Sequence, residues 1–195
     1  MNSFNFTKWN TILGWGTFAI ALITYTLTLE PTVSYWDCGE YISTAVKLEV
    51  GHPPGAPLFQ MLGAFFAMFT SDVTEIAKMV NFMSALASAF TILFMFWTIT
   101  ILARKLVKKS SEISKSSSIA ILGSGVVGGL TYTFSDSFWF SAVEGEVYAM
   151  SSFLMALLFR LGLRWEAEIG KPGGDKWLLI ISFVVGNWYD LVFIF

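Results

Sequence analysis

Several stretches of this chain carry no charged side chain over lengths that suit a lipid bilayer. Thr11 to Leu29 runs 19 residues without Asp, Glu, Lys or Arg. As a helix at ~1.5 Å per residue it covers about 28 Å, against a hydrocarbon core of ~30 Å. Val80 to Leu102 is a longer uninterrupted run, followed at once by Arg104, Lys105, Lys108, Lys109 and Lys115. The first run is expected to stay as a span. A cleaved signal peptide has a shorter apolar region ending in a small-residue cleavage site, and Tyr25 to Glu30 has no such site.

Composition excludes the other classes. The 195 residues are 55% hydrophobic and 13% charged, where a soluble domain carries about 25% charged residues. Disorder needs low hydrophobicity and high net charge. A net charge of −2, from 12 Lys and Arg against 14 Asp and Glu, leaves no basic field for a nucleic-acid partner. Cys38 and His52 are the only cysteine and histidine, so the chain cannot form an internal disulfide or assemble a Cys/His zinc site. No metal or cofactor is read from the sequence.

The expected fold is all-α: a polytopic transmembrane bundle with interfacial helices in its first outer loop. Spans are expected at about 11–29, 80–102, 118–134, 147–163 and 177–195, with the outer loop at 30–79. Leu58 to Phe69 is too short to cross and fits an interfacial helix. With the loop after Leu102 placed inside by its cations, ten of the twelve Lys and Arg fall on the inner side and only Lys47 and Lys78 outside. Lys47 and His52 are thus expected outside, Lys109 and Lys171 inside. Nine of the fourteen acids fall outside. The chain stops at Phe195 within the fifth expected span, which reads as a fragment insufficient for activity by itself. Gly123, Gly125, Gly128 and Gly129 have the spacing of close helix packing, with no strand before them to suggest a phosphate loop.

The chemistry is concentrated in the outer loops. Asp37 and Glu40, flanked by Trp36 and Tyr41, lie just beyond the first span, and the proline-rich turn His52-Pro53-Pro54-Gly55-Ala56-Pro57 follows. The bland account of Asp37 and Glu40 is a capping box opening a short helix, Tyr41 to Val50, closed by Gly51. The functional account is that the stiff turn holds His52 against the loop's acids. In the second outer loop, Ser135 to Glu146, the bland account of Glu144 and Glu146 is dipole stabilisation of the next helix. The functional one is a cavity shared with the first loop.

Asp37, Gly39, Glu40 and Tyr41, then Gly51 to Leu58, then Val143-Glu144-Gly145-Glu146-Val147-Tyr148-Ala149, in that order relative to the spans, resemble the GT-C membrane glycosyltransferases. The resemblance is closer to their protein O-mannosyltransferase-like branch, over essentially Trp9 to Leu163. It implies a GT-C-like N-terminal part in a bacterial inner membrane or its equivalent, with the active face extracytoplasmic. It also implies a polyprenyl-phosphate sugar donor and a hydroxyl acceptor such as protein Ser or Thr. Carried over, Asp37 is the catalytic base and Glu40 its neighbour. His52 contacts the donor phosphate with a pH-dependent charge where relatives often have Lys. Tyr41, Glu144 and Glu146 become substrate contacts. The resemblance lapses after about Val185, where Gly186-Asn187-Trp188-Tyr189-Asp190 departs from the family turn. A transporter is the rival reading, but it would place charges within the spans. A packing subunit would leave the loop acids without a role.

Overall fold

The computed structural model describes residues 4–53, 55–107 and 114–192. Its elements are α1 (Phe6–Leu27), α2 (Cys38–Lys47), α3 (Pro57–Ala67), a one-turn 3-10 helix (Val73–Glu75), α4 (Ile76–Val107), α5 (Lys115–Thr133), α6 (Asp136–Ala142), α7 (Val147–Glu168) and α8 (Lys176–Val192). Among the described residues there is no strand. Three helical segments are long and apolar enough to cross a bilayer: Phe6–Leu27, Val73–Val107 and Val147–Glu168. A fourth is counted if α5 and α6, bent by 69° at the break between them, are taken together.

Helix ends explain where the elements depart from the expected spans. α1 begins at Phe6 because the Asn5 side chain accepts the Lys8 N–H at 3.0 Å, satisfying one orphan donor of the first turn. Asp72 does the same for Thr74 at 2.9 Å, so the helical run into α4 starts before Val80. At its other end α4 continues past Leu102, and Arg104 and Lys105 in the last turn suit the negative end of the helix dipole. The expected third span ends at a bend, and α6 occupies part of the expected second outer loop. There Ser135 takes an extended backbone and starts a new helix. α8 covers the expected fifth span to Val192; positions 193–195 and Lys109 lie outside the described residues.

α4 is the central post, in contact with α1, α5 and α7 along its length and with α3 and α6 near its start. Lipid tails are as apolar as leucine, so close backbone approach and van der Waals contact must hold such helices together. On α4 that surface is Ser84, Ala85, Ser88 and Ala89, all buried. Gly125 of α5 supplies the complementary hollow, since a Cβ there would stand 2.7 Å from Thr100 Cγ2 and 2.9 Å from Phe96 Cδ2. A buried hydrogen bond from Tyr25 Oη to the Thr133 carbonyl, 3.0 Å, fastens α1 to the end of α5.

The two ends of the bundle differ in chemistry. At one end the Arg104 guanidinium lies over Phe6 (5.1 Å) and Arg160 over Trp97 (5.9 Å), while Lys105 pairs with Glu166. At the other end sit the loop acids, with α2 and α3 packed beside the start of α4. Cys38, Tyr41, Ile42 and Ala45 form the buried face of α2 at helical spacing, and Gln60 of α3 donates to Thr44 Oγ1 at 2.8 Å. α3 turns Met61 and Phe65 outward, and Met68 and Phe69 just past its end are exposed as well. Its 11 residues are too few to cross but suit a membrane interface.

Candidate functional site at the acidic end

Asp37 precedes the first turn of α2, yet its side chain makes no capping hydrogen bond. Glu40 does not reach back to close a capping box. Its Oε1 accepts the His52 backbone N–H at 2.7 Å, and its Oε2 stands 3.1 Å from His52 Nδ1. The bland account of this pair therefore fails on geometry. The helix also closes earlier than expected, at Leu48 in the left-handed region with φ 52°, so Gly51 is free to bring His52 back over α2.

The imidazole of His52 lies between the two acids. Nδ1 faces Glu40, and Nε2 lies 3.9 Å from Asp37 Oδ2. Its ring stands 5.5 Å from that of Tyr41, which in turn meets Phe59 edge-on at 5.4 Å. The hydrogen bonds from His52, backbone first and side chain second, hold Glu40 below the usual carboxylate range. Burial, and after it the charges of Asp37 and Glu146, push the Tyr41 phenol up to about 12, so at neutral pH it is a donor.

On its other side Asp37 faces the second loop. A cavity of about 330 Å³ is lined by Trp36, Asp37, Phe140, Ser141, Glu144, Glu146 and Tyr148. Trp36 turns the chain there with φ 58°, a left-handed conformation that costs a non-glycine residue on the order of 1 kcal/mol. Glu144 and Glu146 are 3% and 6% exposed. Burial raises both carboxyls. Glu144 is opposed by a hydrogen bond from Ser34, whereas Glu146 reaches about 7 with help from the charges of Glu144 and Asp37, and accepts the Asp37 backbone N–H. The two loops are also joined directly, Glu30 N–H to the Val143 carbonyl at 3.1 Å.

All six residues expected at the site, Asp37, Glu40, Tyr41, His52, Glu144 and Glu146, thus gather at one end of the bundle. Asp37 is the member common to both halves. Sequence reasoning missed Ser34, Ser141 and Asn81 of α4; of these only Asn81 left a signal, as the single amide in its apolar run. Among the described residues no group of three His, Cys, Asp or Glu side chains is arranged to hold a metal ion. A second cavity, of about 460 Å³, lies among α4, α5, α7 and α8 and is lined largely by apolar side chains such as Met95, Ile99, Met155 and Phe159.

These features define a helical membrane protein with a carboxyl-lined pocket where its two acidic loops meet. The sequence pattern of the protein O-mannosyl-transferase TMEM260 N-terminal domain matches residues 37–187, and the chain belongs to that family. It is 29% identical over 153 residues to the protein O-mannosyl-transferase tmem260 of Dictyostelium discoideum, covering 78% of this chain and 17% of that protein. To the protein O-mannosyl-transferase TMEM260 of Mus musculus it is 29% identical over 169 residues, 87% of this chain and 22% of the relative. The chain thus spans about a fifth of the length of these curated relatives. No solved structure matches it.

Proposed function

We propose that this chain forms the catalytic end of a membrane glycosyltransferase that moves a sugar, mannose by the names of its relatives, from a polyprenyl phosphate to a hydroxyl of a protein Ser or Thr on the extracytoplasmic face. The observation that carries the reading is the placement of Asp37, 3.9 Å from His52 on one side and lining the Glu144–Glu146 cavity on the other. A hydroxyl is a poor nucleophile at neutral pH, so a carboxylate in hydrogen-bond reach must take its proton as the new C–O bond forms. Asp37 has that role. The leaving phosphate needs positive charge or donors beside it, and His52, a third exposed at its side chain, offers them while Glu40 fixes its ring. The carboxyls and phenol of Glu144, Glu146 and Tyr41 serve as hydrogen-bond partners for the sugar or acceptor hydroxyls. The apolar cavity among α4, α5, α7 and α8 has the lining that an isoprenoid chain would occupy.

The test is Asp37→Asn in the full-length protein, reconstituted in lipid with mannosyl polyprenyl phosphate and a protein acceptor. Because Asp37 makes no capping bond, the variant is expected to fold as the wild type does and to lose roughly 10² to 10⁴ in turnover. Asp37→Ala should be equally inactive and nearly as stable, whereas loss of a working cap would cost about 1 kcal/mol. Near-wild-type transfer by Asp37→Asn would overturn the assignment.

A further inference from the structure

Asn81 lies in the second turn of α4, fully buried. Its amide nitrogen donates to two carbonyls of the first outer loop, Glu30 at 2.8 Å and Thr32 at 2.9 Å. Its amide oxygen is buried and has no hydrogen-bond partner among the described residues. Against that oxygen sits Gly145, between Glu144 and Glu146. A Cβ at 145 would come within 2.9 Å of Asn81 Oδ1, and within 3.2 and 3.3 Å of Ile42 Cγ1 and Cδ1. The Cys38 sulfur, on the same buried face of α2, accepts hydrogen bonds from the backbone N–H groups of Ser34 and Gly145. The turn itself is tight, with the Glu146 N–H donating to the Glu144 carbonyl at 3.0 Å.

We propose that Asn81 and Gly145 form a clamp that sets where the Glu144 and Glu146 carboxyls stand relative to Asp37, which makes Asn81 a positioning residue of the site. The catalytic meaning of the clamp rests on the glycosyl-transfer reading; its geometry does not. The residue types follow from the arrangement. One amide nitrogen carries two N–H donors and so satisfies two carbonyls from a single buried atom, which neither Asp nor a hydroxyl can do. The amide's other face is flat and short, and only a residue without a side chain lets the second loop descend onto it. The first loop is thereby hung from α4 by the nitrogen, and the second loop is seated on the oxygen side. Glu144 and Glu146, on either side of the seated glycine, are carried down into burial beside Asp37.

A displaced turn would hydrate Glu146, so its titration reports the clamp without any need for turnover. The groups facing that carboxyl are Asp37, Tyr41 and Cys38 from the first loop and α2, and Glu144 and Tyr148 from its own segment. The experiment is an infrared pH titration of the carboxyl bands in the full-length protein in lipid nanodiscs, with Glu146→Gln identifying the Glu146 band. The wild-type midpoint is expected near 7. Asn81→Leu, which keeps the branched shape and removes the donors, and Gly145→Ala, which keeps the donors and fills the seat, should each lower it by about one pH unit or more. Ser84→Ala, one turn further along the same buried face of α4, should leave it unmoved. If Asn81→Leu does not accumulate, Gly145→Ala decides the question alone. An unmoved midpoint in folded Gly145→Ala would overturn the clamp, as would an ordinary carboxylate midpoint in the wild type. Wild-type transfer with unmoved midpoints would leave the enzyme reading standing and remove the clamp. The expected shifts in a protein that transfers no sugar would do the reverse.

Discussion

Glu146 and Glu40 both belong to the acidic end of the bundle, and their surroundings send them in opposite directions. Glu40 is half exposed and held low by the N–H groups of His52, whereas Glu146 is buried beside two other acids and held near 7. The consequence for stability has a definite sign. A carboxyl raised on folding favours the folded state fully while protonated in both states, and that contribution is lost as pH rises through its folded value. Wild-type stability should therefore decline between the ordinary carboxylate range and about pH 7, by up to a few kcal/mol. Glu146→Gln should remove most of that decline. Thermal unfolding in detergent at a series of pH values checks this, and parallel wild-type and variant curves from pH 5 to 8 would refute it. Glu40 has the opposite sign: its contribution is lost only as pH falls below the ordinary carboxylate range. The alternation of acids and aromatics around Asp37, and the proline turn bearing His52, were legible in the sequence because they lie within one short segment. The partner of Glu40 was not, because a capping box and a reach to His52 use the same letters at the same spacing. The closure at Leu48, through a backbone conformation usually left to glycine, selected between them.

Among the elements, α4 and α5 depend on shape more than on hydrophobicity. Small residues on both helices let them approach, and the apolar character of either would be the same in lipid. Gly125→Ala places a methyl against Thr100 and Phe96, and overpacking of this kind costs typically 1–3 kcal/mol. The variant is expected to unfold at lower temperature, with the cost falling on the α4–α5 contact. A cysteine pair across that contact should cross-link more slowly than in the wild type, and an unchanged melting temperature would contradict the packing account. Long apolar runs and small-residue spacing mark these helices in the amino-acid order itself. Their ends were less legible, because they are set by single side chains such as Asn5 and Asp72 and by the backbone of Ser135. α6 escaped notice altogether: it is 7 residues long, too short for helical periodicity to stand out from a loop.

For the whole molecule, the segregation of charge is the feature on which orientation turns. Arg104, Lys105, Arg160 and Arg164 decorate one end of the bundle and the loop acids the other, and basic loops are retained on the cytoplasmic side. With Cys38 replaced by Ser, single cysteines at positions 47 and 52 should react with a membrane-impermeant reagent added from outside, and those at 105 and 171 should not. Protection at 52 together with labelling at 105 would reverse the orientation and place the pocket on the wrong face for an external acceptor. The sequence by itself determined that the chain is helical and membrane-bound, and which end is acidic, because charge-free length and charge asymmetry are linear properties that need no folding to be read. Only the tertiary structure decided that the acids of two loops, more than a hundred residues apart, share one pocket. That depends on where α4 sets the start of α7 beside the end of α1, and on one buried amide and one missing side chain that let the second loop settle against the first. Glu146 is buried beside Asp37 because of that contact, and burial is a property of the assembled neighbours rather than of the residue.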